Sequence, residues 1–277
     1  MDSESKPLRT LILTIGPKKF LMENMLPSLY GAGQYNGDLI IVSNINENKF
    51  LPEDVAAVLA KYPDKKITFH YPKEILYKSY GTDRFRIYEY LLKPIYQNYD
   101  VIMSIDYDVE FFHPIAPLFE ICKDTIGVTR EHWLNEMIVE FKWRWQMLPD
   151  DYWQAIRTQR IINNGMFVGP ADQMYALLKT CTNYLEYENY WGMEQMLFNA
   201  FVYYEKMEVQ YLDPKWHSVA FEPYDKDTVV ILHHCGPYDW KVKDPMFKII
   251  EAHGKPVDLT RDVGQVPKRS RLIFQKH

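Results

Sequence analysis

Four short strand-like stretches constrain this chain more than anything else in it: the apolar runs "RTLILTI" (residues 9–15), "DLIIVSN" (38–44) and "DVIMSID" (100–106), and the alternating "KITFHY" (66–71). Each is the length of a buried strand. Between them lie segments with helical spacing. "FLMENMLPSLY" repeats its apolar residues at Leu21, Met25 and Leu29, and "PEDVAAVLAKY" (52–62) starts at a proline, a residue that suits a first helical turn. "TDRFRIYEYLLKPIYQ" (82–97) has Thr82 as its candidate cap and a bend expected near Pro94. Strand alternating with helix predicts an α/β fold, with a mostly parallel central sheet flanked by helices. In such sheets ligands sit outside the carboxyl ends of the strands.

The second half is less regular. Residues 130–160 are crowded with aromatics: Trp133, Phe141, Trp143, Trp145, Tyr152 and Trp153. "IINNGMFVG" (161–169) and "TVVILHH" (228–234) read as strands, and helices are expected at about 171–187 and 192–204. No repeat or linker breaks the chain. A single domain over 1–254 with a basic extension at 255–277 is the simplest parse.

A net charge of -5 argues against a general nucleic-acid binder, which carries a basic face, though it leaves room for a small basic pocket for a phosphate. Cys122, Cys181 and Cys235 form no C-x-x-C pair and point to a reducing compartment without disulfides. "MDSESKPLRT" lacks the apolar core of a signal peptide, and no apolar run spans a bilayer. A soluble, cytoplasmic protein is the expectation.

Chemistry enters at "IMSIDYD". Asp106 and Asp108 close an apolar strand with one residue between them. Like charges so near each other repel, and burial raises the cost. Residues i and i+2 of an extended chain point the same way, so both carboxylates could converge on one hard cation, Mg²⁺ or Mn²⁺. The bland alternative is a solvated turn. In "VVILHHCGPYDW", alternation lets one of His233 and His234 face such a site, and Gly236 permits close backbone approach. Asn163 and Asn164 sit in an apolar strand beside Gly165, as a bulge or as ligands of a polar group. Glu194, Gln195 and Asn199 interrupt an apolar helix, and Arg84 opens another.

In this order and spacing, the motifs resemble those of GT-A glycosyltransferases, most closely family 8, the glycogenin and lipopolysaccharide galactosyl- and glucosyltransferase group. The resemblance covers roughly residues 9–241. It implies a metal-dependent transfer of glucose, galactose or xylose from a UDP-sugar to a glycan acceptor, with retention. By resemblance, Asp106, Asp108 and His233 hold Mn²⁺ or Mg²⁺. Thr14, Ile15 and Gly16 of "LILTIG", with Arg84, Tyr107, Asn164, Gly165, Gly236 and Lys241, meet the donor nucleotide. Asn163, Glu194 and Gln195 take the sugar and the catalytic role. The aromatic segment is expected at the acceptor, because sugar faces stack on Trp and Tyr.

Two departures stand out: Glu194 replaces the family's aspartate, and Asp239 stands where the family has a lysine, so that either Lys241 reaches the phosphate instead or that contact is absent. Two other classes are compatible with a bare D-x-D. One is a haloacid-dehalogenase-like phosphatase, which normally carries the motif on its first strand, not its fourth. The other is a non-catalytic glycan-binding protein.

Overall fold

The computed structural model describes residues 6–43, 49–72, 82–135, 150–185, 193–220, 224–225 and 227–234. The first strand, β1 (Thr10–Gly16), is followed by α1 (Lys18–Phe20), a π-helical turn (Leu21–Met25) and α2 (Leu26–Tyr30). Then come β2 (Asp38–Ser43), α3 (Pro52–Lys61), β3 (Ile67–His70), α4 (Thr82–Leu92), β4 (Val101–Ile105) and β5 (Val109–Phe111). The chain continues through α5 (Ala116–Ile121), β6 (Gly127–Leu134), α6 (Asp150–Ile156), β7 (Arg160–Pro170) and α7 (Ala171–Leu185). It closes with α8 (Met193–Tyr203), β8 (Gln210–Tyr211), β9 (Ser218–Val219) and β10 (Ile231–His233).

The large sheet has the order β3-β2-β1-β4-β7-β6-β8, and a small second sheet has the order β5-β10-β9. Strands β3, β2, β1 and β4 run parallel, as the alternation predicts. Strand β7 then runs antiparallel to both β4 and β6, while β8 pairs parallel with β6. All five residues of β4 are fully buried. They must be, because each face of the sheet carries a core.

On one face, Leu11, Leu13, Ile102 and Phe167 pack against Phe85 and Tyr88 of α4, Leu178 of α7 and Phe198 of α8. On the other, Ile12, Ile41, Met103 and Met166 pack against Leu21, Met25 and Leu29, the apolar set whose spacing marks that segment as helical. Cys122 and Cys181 are buried free thiols in opposite cores, and Cys235 lies outside the described residues. Among the described residues no helix is long and apolar enough to cross a membrane.

Some expected boundaries move. Helix α4 stops at Leu92 instead of bending at Pro94. A proline disfavours helical backbone in the residue before it, so the chain passes through turns to a short 3-10 turn at Tyr96–Asn98. The 228–234 strand contracts to Ile231–His233. Helix α3 begins at Pro52 as expected, and Asp54 braces its start by accepting from Leu51 N and from Lys18 Nζ, both at 2.8 Å.

Phe167 of β7 meets Phe85 edge-on at 5.6 Å and Phe198 at 5.3 Å, which ties α4 and α8 to the sheet. Phe167→Ala should therefore lower stability by about 3–5 kcal/mol in urea denaturation, the range for a truncated core phenylalanine. A loss below about 1 kcal/mol would show that this junction carries no such weight.

Candidate metal centre

Strand β4 ends at Ile105, and the chain bends through Asp106, Tyr107 and Asp108 before entering β5. The bend is where the chain leaves the large sheet for the small one. Asp106 N still donates to Gly165 O (2.7 Å), while His234 N donates to Asp108 O (2.8 Å). Antiparallel pairing of β5 with β10 sets Val109 opposite His233. The two carboxylates thus share a site because the backbone turns between two sheets. The same-face geometry of an extended strand, expected from the spacing, is not what brings them together.

The three ligand atoms offered by Asp106, Asp108 and His233 lie within 4.8 Å of one another. His233 Nε2 is 3.6 Å from Asp106 Oδ2 and 3.3 Å from Asp108 Oδ1. His234 points the other way, to Glu110 Oε2 (3.4 Å) and the edge of Phe20. Two carboxylates and one imidazole form a donor set that suits a hard or borderline divalent ion, Mg²⁺ or Mn²⁺. The residues fit such an ion.

Gly16, at the end of β1, lies under Tyr107: a Cβ there would come within 2.2 Å of Tyr107 Cγ. Thr14 and Ile15, the two residues before it, are buried in β1.

Arg84, only 4% exposed, rises from α4 beneath Asp106. Its Nη1 donates to Asp106 Oδ1, and Nη2 donates to the Asn164 carbonyl at 3.2 Å. Nη2 also stands 4.0 Å from Glu194 Oε1. With the Asn164 amide turned to match its neighbours, Oδ1 accepts from Arg84 Nη2 (3.0 Å) and Gln195 N (3.1 Å), and Nδ2 donates to Gln195 Oε1 (2.9 Å). Glu194 Oε2 and Arg84 Nε are buried without a hydrogen-bond partner among the described residues. Burial pushes the Glu194 carboxyl above its usual range, against the pull of Arg84.

The "NNG" stretch forms a bulge in β7. Val128 of β6 faces Phe167, but its neighbour Thr129 faces Asn163, so residues 164–166 have no counterpart on β6. Asn163 holds this shape with both amide atoms: Oδ1 accepts from Gly165 N (2.7 Å) and Nδ2 donates to Glu131 Oε1 (2.6 Å). Gly165 leaves room for the imidazole, since a Cβ there would sit 2.4 Å from His233 Cε1. Asn199 clips α8 to the same strand, accepting from Ile162 N (2.9 Å) and donating to Ile162 O (3.0 Å). That clip sets where Glu194 and Gln195 fall, one turn earlier on the helix.

Sequence reasoning missed three residues here. Glu131 braces Asn163 as above, and Thr129 Oγ1 lies 2.9 Å from His217 Nδ1. The His217 ring stacks on His233. Burial drives its pKa well below the usual value, and His233 adds to the effect, against the pull of Asp108. No local pattern marks "KWHSV" as part of a site; only the pairing of β9 with β10 brings it there.

Gly236, Lys241, Phe141, Trp143 and Trp145 lie outside the described residues, as do the side chain of Trp133 and the 255–277 extension. Tyr152 is half-buried and stacks on Tyr204 (3.8 Å), so this member of the aromatic segment serves the packing of α6 on α8.

No known family model matches the chain, and no curated protein matches it in sequence. Solved structures do match in fold. The apo structure of WbbM, a bifunctional glycosyltransferase, superposes with TM-score 0.56 at 11% identity over 90% of this chain and 52% of that one. This chain therefore spans about half of WbbM's length. Mouse xyloside xylosyltransferase 1, also apo, gives TM-score 0.54 at 16% identity, covering 83% of this chain and 98% of that one. An active-site mutant of LgtC gives TM-score 0.55 at 13% identity, over 87% and 95% of the two chains. The fold is GT-A: a large, mostly parallel sheet between helical layers, like that of these glycosyltransferases.

Gly165→Ala should push the His233 ring off its carboxylate partners. Mn²⁺ binding by calorimetry should weaken about tenfold or more, while the fold persists by circular dichroism. Unchanged affinity would mean the ring has room the structure does not show.

Glu194 makes a second prediction. Its folded pKa lies above the ordinary 4.5, so the folded chain keeps this proton to higher pH than the unfolded chain does. Its stability contribution is present below the ordinary value and lost as pH rises through the raised one. In chelator, melting temperature should fall over that window, and Glu194→Gln should flatten the fall.

Proposed function

We propose that the chain transfers a sugar from a UDP-sugar to a hydroxyl of a glycan acceptor, at a divalent-cation site made by Asp106, Asp108 and His233. One observation carries the reading: in a GT-A fold, these three side chains converge at the carboxyl end of β4, and their donor chemistry suits Mn²⁺ or Mg²⁺. The proteins of similar fold add support, since a bifunctional glycosyltransferase and a xylosyltransferase are among them.

A bound cation would supply positive charge to the diphosphate as it departs. The rest belongs to the chain. Arg84 orients Asp106 through its ion pair and Asn164 through Nη2, so its charge serves the carboxylate before any phosphate. Glu194 and Gln195 stand on the first turn of α8 beside Arg84 and Asn164, and we assign them to the donor sugar. Glu194 keeps one carboxylate oxygen without a partner among the described residues, an acceptor for a sugar hydroxyl. Asn163 shapes the bulge that presents Asn164 and Gly165. Gly16, with Tyr107 over it, borders the nucleotide side, and Thr14 and Ile15 support it from the core. Gly236 and Lys241 are assigned to the diphosphate by their place after His233 in the sequence. A family 8 relationship, a glucose, galactose or xylose donor, retention of configuration and a cytoplasmic location complete the proposal.

A panel of UDP-sugars, with and without Mn²⁺, scored for binding and for slow hydrolysis, tests the reading. At least one donor should respond only when metal is present, and Asp108→Ala should reduce that response by about 100-fold or more. Metal-dependent phosphate release from simple phosphomonoesters, with no response to any nucleotide sugar, would contradict it.

A further inference from the structure

His233 closes a strand of only three residues, β10, and supplies the one nitrogen among the proposed cation ligands. An imidazole turns freely about its outer bond unless something holds its plane. A metal site needs its ligands held to within about 0.5 Å and 10–20° of the productive geometry. Two groups among the described residues bear on this one. Gly165 lies against the Cε1–Nδ1 edge, where a Cβ would come within 2.4 Å. The His217 ring lies against its face, with centroids 5.1 Å apart and planes inclined by 27°.

His217 is itself fixed. It is 3% exposed and immediately precedes β9, which pairs parallel with β10 so that Val219 faces His233. Its Nδ1 lies 2.9 Å from the hydroxyl oxygen of Thr129, which is 2% exposed on β6 of the large sheet. Its Nε2 is buried and makes no hydrogen bond among the described residues. The ring therefore links the two sheets at the point where the proposed site straddles them. Asp106 hangs from the large sheet, and His233 belongs to the small one. Any slippage between the sheets would open the distance between Asp106 and His233. The Thr129–His217–His233 chain resists that slippage.

We propose that His217 is a positioning residue of the cation site: locked to the large sheet by Thr129, its ring fixes the plane of His233 so that Nε2 faces the two carboxylates. This rests on the reading of Asp106, Asp108 and His233 as a cation site. The stacking face does the work in this account, and the Thr129 contact sets where that face stands. A ring of similar shape without nitrogens should therefore keep most of the effect, and removal of the ring should lose it.

The test is a Mn²⁺ titration of the full chain followed by electron paramagnetic resonance, with wild type, His217→Ala, His217→Phe and Thr129→Val. Dissociation constants and the ¹⁴N modulation from a bound imidazole are both read. Wild type should bind one Mn²⁺ with a nitrogen signal. His217→Ala should bind about tenfold or more weaker, with the nitrogen signal reduced. His217→Phe, which keeps the stacking face but loses the Thr129 contact, should restore most of both, and Thr129→Val should likewise fall between wild type and His217→Ala. Thermal melts in chelator separate loss of the site from loss of the fold. If His217→Ala does not fold, the Phe and Val variants carry the test. Wild-type affinity and nitrogen signal in His217→Ala would overturn the proposal, as would a His217→Phe chain as damaged as the alanine variant. A wild type that binds no Mn²⁺ would instead remove the cation site itself, and with it this role.

Discussion

Three carboxylates gather around one buried guanidinium at the carboxyl end of β4. Asp108, Arg84 and Glu194 are all 6% exposed or less, and Asp106 reaches Arg84 directly. Buried charges of one sign are tolerated only when paired. Arg84 meets Asp106 and approaches Glu194, and His233 meets Asp108. Elements far apart in sequence must therefore dock in one register: α4 for the guanidinium, α8 for Glu194, the β4–β5 bend for the aspartates and β10 for the imidazole. The two cores on either side of the large sheet hold that register, and Asn199 pins α8 to β7 inside it.

The departure at Glu194 takes on a physical meaning in this setting. The longer side chain reaches toward Arg84 Nη2 while leaving one oxygen without a partner among the described residues. Burial raises its pKa, and the guanidinium opposes that shift. Glycines play the complementary part. Gly16 and Gly165 carry no side chain where Tyr107 and His233 need the space, so the strand ends close up around the site.

Much of this was legible in the sequence because burial on both faces leaves a plain mark. Strands β1, β2 and β4 read as continuous apolar runs, the edge strand β3 by its alternation, and the helices between them by their spacing. Asp106 and Asp108 stood out as charges ending such a run, and strand alternation required one of His233 and His234 to turn away. What stayed hidden was short or non-local. Strands β5 and β9 have three and two residues, too few to show a period, so of the small sheet only β10 left a trace. The antiparallel course of β7 depends on pairing across tens of residues. The role of Asn163 depends on Glu131 in a neighbouring strand, and that of His217 on Thr129. Neither follows from local pattern.

Anomalous diffraction from crystals of the chain grown with Mn²⁺ and UDP addresses the central claim most directly. The account predicts one strong manganese peak bounded by Asp106, Asp108 and His233 Nε2, with the diphosphate beside it. Crystals that hold manganese elsewhere, or that bind the nucleotide with no peak between these three side chains, would contradict it.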